Sequence, residues 1–171
     1  MEMTEKSPKP TAASRVTLTQ LMLPHHANGL GHVHGGVIMK MVDETAAIAA
    51  MRHAHRPCVT VAVDSMTFRE RVEVGELLSC TAMVNYVGRT SMEVGVKVSA
   101  ENAITGETTH TNSAYLVFVA LGDDDRPAAV PGLLLESDDA RRRHEEGEER
   151  QQYRLAQRQK RARSRSTPSD P

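Results

Sequence analysis

Residues 36–55, GVIMKMVDETAAIAAMRHAH, hold no proline and no internal glycine and are rich in Met, Ala and Ile, the composition of a helix. They are apolar nearly all round, so the helix must be covered on most of its sides. The rest of the chain shows what can cover it. Ser14–Leu23 is β-branched and partly alternating, and Pro24 stops it. After Pro57 come four further strand-like runs, 58–68, 75–88, 90–102 and 107–121. In 90–102, Val94, Val96, Val98 and Ala100 face one way, and Glu93, Lys97 and Glu101 largely the other. Short links between successive strands favour antiparallel neighbours. The expected fold is α+β, an antiparallel sheet wrapped around the helix, with a second copy covering what the sheet leaves bare.

Outside 13–135 the texture changes. Residues 1–12 are polar, carry Pro8 and Pro10, and read as disordered. Beyond Glu136 the chain is charged and of low complexity, read as partly helical over 138–160 and then disordered. Residues 151–171 hold six basic residues against one acid, Asp170. This tail reads as solvated, or alternatively as a phosphate-attracting arm near an anionic ligand. The 171 residues carry a net charge of −1, and aromatics are 3% with no Trp. Neither feature suits a nucleic-acid reader. The N-terminus lacks an apolar signal core, and no apolar run is long enough to span a membrane. Two cysteines without CxxC spacing build no disulfide framework. A cytoplasmic setting is expected, without a membrane partner.

The polar residues inside the apolar helix are the most informative. Lys40, Asp43, Glu44 and Ala47 share one face at helical spacing. A carboxylate on a largely buried helix is costly unless it is paired or functional. An Asp43–Lys40 or Glu44–Arg52 ion pair and a functional Asp43 both fit the spacing. The loop before the helix, HHANGLGHVHGG (25–36), holds four glycines and Asn28. Gly35 and Gly36 open the helix, where free N–H groups and a partial positive charge can hold a developing oxyanion. Asn28 can orient a water. A carboxylate, an amide and a helix N-terminus are parts for hydrolysing an acyl bond.

Other chemistries find less support. His25, His26, His32, His34, His53 and His55 include H-x-H pairs, but these lie in a Gly-rich loop and at a helix end with no Cys ligand at a fixed spacing, which argues against a metal. His34 is placed near the site by its position before Gly35. No G-x-S-x-G elbow is present, and Cys58 and Cys80 fall in strands where Cys packs inertly. Phosphate-loop and dinucleotide fingerprints are absent.

The segment LPHHANGLGHVHGGVIMKMVDETAAIAA, followed by VTVAVDSMTF and VGRTSMEVGVKV, resembles the hotdog-fold acyl-CoA thioesterases, in the branch of the cytosolic and bacterial acyl-CoA hydrolases, over about residues 15–131. The resemblance implies a long central helix wrapped by an antiparallel sheet, and a dimer joined edge to edge, often a trimer of dimers or hexamer. It implies Asn28 and Asp43 as catalytic residues contributed by different subunits, and Gly36 as the N–H that polarises the thioester carbonyl. Gly35 and His34 go with that site. Arg89, Thr90 and Ser91 are implied for the CoA moiety, and Asp64 matches a family position of less definite role. Lys40 departs from the uncharged residue of many relatives, and the basic tail matches no family motif.

The expected function is therefore hydrolysis of medium- to long-chain fatty acyl-CoA, with no cofactor beyond the CoA of the substrate. Asp43 would activate a water held with Asn28, or attack directly to form an anhydride. Met39, Ala46 and Ala47 would line the acyl path. The alternatives are a non-catalytic acyl-CoA sensor acting through the tail, and an acyl-CoA hydratase or dehydratase using His32 or His34 with Asp43.

Overall fold

The computed structural model describes residues 7–166, with side chains through Arg161. The chain runs β1 (Lys9–Pro10), β2 (Val16–Leu21), α1 (Gly35–Ala54), β3 (Cys58–Met66), β4 (Leu77–Val87), β5 (Ser91–Glu101), β6 (Thr108–Ala120), β7 (Leu133–Leu134) and α2 (Asp138–Ser166). The long helix and all five long strands fall within about two residues of the ranges expected from the sequence.

Five strands form one antiparallel sheet in the order β2-β4-β5-β6-β3. Register shifts interrupt β3 twice and β4 once. Such bulges bend a sheet, and this one curls around α1. The inward residues, among them Leu78 and Val84 of β4, Val94 and Val98 of β5, and Leu116 and Phe118 of β6, bury against Ile38, Val42, Ala46, Ala49 and Ala50 of α1. Four of the nine buried α1 residues are alanine, so the helix axis comes close to the sheet.

Coverage of α1 is incomplete. Met39 is 51% exposed and Met51 39%, and Asp43, Ala47 and Ile48 are half-buried. The open side continues onto β3, an edge strand on which Val59, Val61 and Val63 are all exposed.

Two segments differ from the sequence expectation. Residues 9–12, expected to be disordered, pair β1 with β7 in parallel and begin a 3-10 turn over Thr11–Ser14. The Lys9 ammonium donates to the His53 carbonyl at 2.7 Å, and the buried Ser14 hydroxyl accepts from the Val84 N–H at 3.0 Å. A polar segment is thus held by specific hydrogen bonds to the end of α1 and to β4. Residues 1–6 and 167–171, expected to be disordered, lie outside the described residues.

The second difference is α2, one continuous helix through Ser166. The Ser137 hydroxyl accepts from the Ala140 N–H at its start. Its first turns are laced by Arg141–Asp138, Arg142–Asp139, Arg143–Asp139 and Arg142–Glu146 pairs, which support a helix. Rather than standing free in solvent, α2 packs across the outer face of the sheet. Glu93 points outward, as alternation requires, yet its side chain is 0% exposed because α2 covers it. Arg150 Nε lies 3.1 Å from both Glu93 oxygens, Arg150 Nη2 2.7 Å from Oε1, and Arg154 Nη1 3.0 Å from Oε2. The Arg150 guanidinium also sits 3.8 Å over the Tyr115 ring.

Candidate active site

The loop ahead of α1 is built by its own polar groups. Asn28 N–H donates to the His32 carbonyl at 2.7 Å, and Gly31 N–H to the Asn28 carbonyl at 3.0 Å. Gly31 takes φ +85°, which glycine adopts without a steric penalty. The Asn28 Oδ1 accepts from the Leu30 N–H at 2.9 Å and the His32 N–H at 3.3 Å. The acceptor end of the amide is therefore spent on the loop, and the Nδ2 end remains as a donor. His32 Nδ1 lies 2.8 Å from Glu73 Oε2. His32 and Arg71 hold the Glu73 carboxyl below the usual carboxylate range, His32 most of all.

At the helix start, the Gly36 N–H donates to the ring Nδ1 of His34 at 2.8 Å, so the His34 imidazole caps α1. The sequence reading assigned this N–H to the substrate carbonyl. In this structure it is already occupied, and His34 must rotate away to release it. Gly35 lies under the Phe68 ring, whose nearest atom is 3.6 Å from where a Cβ would stand.

Asp43 is two turns further along. Lys40 pairs with Glu44 at 2.9 Å, and Arg52 donates to the Arg15 carbonyl at 2.6 Å. Neither ion pair that could have explained Asp43 or Glu44 structurally, Asp43–Lys40 or Glu44–Arg52, is formed. Among the described residues Asp43 has one neutral partner: the Thr60 hydroxyl of β3 donates to its Oδ1 at 2.7 Å. A half-buried carboxylate without a cation, fixed by one hydroxyl, is a base with a free oxygen. Sequence reasoning missed Thr60, whose contact with Asp43 depends on how β3 packs beside α1.

Among the described residues no hydrogen bond joins Asn28 to Asp43 within one chain. Thr90 sits with Arg89 at the β4–β5 turn, closed by the Gly88 N–H to the Ser91 carbonyl at 2.8 Å, and Arg89 is exposed there. Asp64 is ion-paired to Arg154 of α2. Ala46 is fully buried against the sheet and so cannot line an acyl path, whereas Met39 and Ala47 remain on the open side. Burial pushes the Cys58 thiol up to about 11 and the Cys80 thiol up to about 12, which leaves neither as a ready nucleophile. Among the described residues no three His, Cys, Asp or Glu side chains group as metal ligands, and no helix is long and apolar enough to cross a membrane.

Residues 30–107 match the family model of the thioesterase superfamily. Protein VdlD of Helicobacter pylori is 36% identical over 141 residues, covering 82% of this chain and 80% of that protein. The human cytosolic acyl coenzyme A thioester hydrolase is 32% identical over 154 residues, 89% of this chain but 40% of that protein. Among solved structures, an apo-hexameric acyl-CoA thioesterase superposes with a TM-score of 0.84 at 36% identity, covering 88% of this chain and 97% of its own. The acyl-CoA hydrolase of Staphylococcus aureus, solved with butyryl coenzyme A and coenzyme A, gives 0.84 at 32% identity, covering 92% and 96%. Structures of that hydrolase with an asparagine, an aspartate or a threonine changed to alanine match as well.

Proposed function

This chain belongs to the thioesterase superfamily as a hotdog-fold acyl-CoA thioester hydrolase, and we propose that Asp43 is its general base. The observation that carries the proposal is the Asp43 carboxylate itself, which has no cationic partner among the described residues and is fixed through one oxygen by the Thr60 hydroxyl. A water beside its free oxygen gives up a proton to Asp43 as it attacks the thioester carbonyl. The Asn28 amide of a neighbouring copy orients that water through Nδ2. The oxyanion takes the Gly36 N–H once His34 swings off it. The thiolate of CoA then leaves with little acid assistance, since a thiol pKa is about 8.5. The S. aureus hydrolase structures with altered asparagine, aspartate and threonine support the same three residue types here.

Pairing two copies through β3 brings Asn28 of one toward Asp43 of the other. The exposed Val59, Val61 and Val63 on an edge strand, and Met39 and Met51 on the open side of α1, support such a dimer. The hexameric relatives support its assembly as a trimer of dimers. A medium- to long-chain acyl group would lie along Met39 and Ala47. The cytosolic relatives support a cytoplasmic location, and the chemistry requires no cofactor.

The test is thiol release from acyl-CoAs of graded length by wild type and Asp43→Asn. Turnover should fall by about 10²- to 10⁴-fold in the variant with the circular dichroism spectrum retained. A variant that keeps most of its activity removes Asp43 from the mechanism. Tight acyl-CoA binding with no release by wild type would instead make the protein a sensor.

A further inference from the structure

Asn28 and His32 close the loop ahead of α1 on each other. The Asn28 N–H donates to the His32 carbonyl at 2.7 Å, and the His32 N–H donates to the Asn28 Oδ1 at 3.3 Å. Whatever fixes His32 therefore fixes the Asn28 amide. His32 is itself fixed from outside the loop. Its backbone bridges to Glu73, and the N–H of the next residue, Val33, donates to the Val72 carbonyl at 2.9 Å. Its ring Nδ1 lies 2.8 Å from Glu73 Oε2.

The Glu73 carboxylate is oriented in turn. Its two oxygens are divided, Oε2 to His32 and Oε1 to Arg71 Nε at 2.8 Å. Its own N–H donates to Glu76 Oε2 at 2.8 Å. With a carboxylate against it, the His32 Nδ1 carries a proton and donates, so that nitrogen is committed to Glu73. As a stabiliser the pair has little to offer. The His32 side chain is 31% exposed and that of Glu73 43%, and ion pairs so wetted add little to a fold. What the pair does is set a place. Arg71, Glu73, His32 and Asn28 form one chain of contacts from the segment before β4 into the site.

We propose that His32 and Glu73 are positioning residues for the hydrolysis, a reading that rests on the proposed function: through the His32 main chain they hold the Asn28 amide where its Nδ2 meets the water at Asp43 of the neighbouring copy. The two ends of one planar amide turn together, so Nδ2 is aimed by whatever holds Oδ1. Oδ1 accepts from the Leu30 and His32 N–H groups. The Leu30 bond lies within the loop and moves with it, since Leu30 is 84% exposed. The His32 bond is the one tied to the rest of the protein. Without the Glu73 carboxylate the loop stays closed on itself, but it is held to segment 71–76 by main-chain contacts alone, and Asn28 shifts with it. A small shift is enough. A misplacement of about 1 Å caused by a residue far from the chemistry can cost about 100-fold in rate. Neither His32 nor Glu73 touches the reacting atoms in this scheme.

The experiment measures kcat and KM on the acyl-CoA cleaved best, for wild type, Glu73→Ala, Glu73→Gln, Asn28→Ala and the double variant Asn28→Ala/Glu73→Ala. Glu73→Ala should lower kcat about tenfold, with KM and melting temperature little changed. Glu73→Gln keeps a carbonyl acceptor for the His32 Nδ1–H and should recover most of the loss. In the Asn28→Ala background the same Glu73→Ala change should have no further effect, since no amide is left to position. Wild-type kcat in Glu73→Ala overturns the proposal. So does a loss that persists undiminished in the Asn28→Ala background, because damage to the loop or to the fold at large is felt with or without the amide. Full turnover by Asn28→Ala is a different failure. It takes the amide out of the mechanism and overturns the proposed role of Asn28 together with this inference.

Discussion

Gly147→Ala should destabilise the protein, although alanine is the better helix former. On propensity alone the substitution gains about 1 kcal/mol in a helix interior. Gly147, however, is buried where α2 crosses the sheet. A Cβ there would stand 2.8 Å from Tyr86 Cβ and 3.1 Å from Glu93 Oε1. Carbon atoms rest about 3.5–4.0 Å apart, so the helix must lift by nearly 1 Å. The Tyr86 Cβ is attached directly to the β4 backbone and cannot yield. Overpacking of this kind costs about 1–3 kcal/mol. The lift also stretches the 2.7 Å Arg150–Glu93 contact, a charge-assisted bond whose weakening adds about 1 kcal/mol. The net expectation is a loss of about 1–3 kcal/mol, or a Tm lower by roughly 3–10 °C for a chain of this size. Thermal melts at matched protein concentration read the sign, and hydrogen exchange over residues 138–150 reports whether α2 loosens first. A Tm that rises refutes the packing argument and leaves propensity in charge.

Removing the Thr60 hydroxyl as Thr60→Val should lower kcat about tenfold or more, in line with one hydrogen bond of about 1.5–3 kcal/mol to a charged group. Thr60→Ser should recover most of the loss, and wild-type turnover in the valine variant would dismiss the contact as incidental. His53 gives a pH prediction. It is buried, donates through Nε2 to the Pro131 carbonyl at 2.8 Å, and burial depresses its pKa below 6.5. In acid the unfolded chain takes a proton that the folded one refuses, so stability is full above about 6.5 and is lost as pH falls through that value toward the depressed one. Urea midpoints across this window should fall less steeply for His53→Gln than for wild type, and parallel slopes would exclude His53 as the cause.

The helix and strands were legible because their periodicities are strong: apolar all round in 36–55, and alternating in 90–102. The carboxylate was legible as an anomaly, but its role was not. Asp43 at i+3 and Glu44 at i+4 compete for Lys40 in the sequence, and only packing shows that Lys40 pairs with Glu44 at the favoured i,i+4 spacing. The Gly36 N–H was misjudged as free, since nothing in the composition of a loop says that a histidine two residues upstream will fold back as a cap. Glu93 carries the same lesson. Alternation put it outside, where it is, but whether the outside is wet depends on a helix more than forty residues away. The arginine spacing in α2 was on view and went unused because a charged run ordinarily denotes a solvated surface.

The clamp between Glu93 and α2 has a consequence for how the protein is made. Strand β5 leaves the ribosome well before Arg150 and Arg154, so the nascent sheet first meets water with its outer carboxylate hydrated beside Tyr86 and Tyr115. A hydrated charge is costly to bury unpaired, and it keeps that face from adhering to other nascent chains. Only when the arginines emerge can Glu93 be dehydrated, so translation order itself delays closure of the outer layer until its counter-charges have been synthesised.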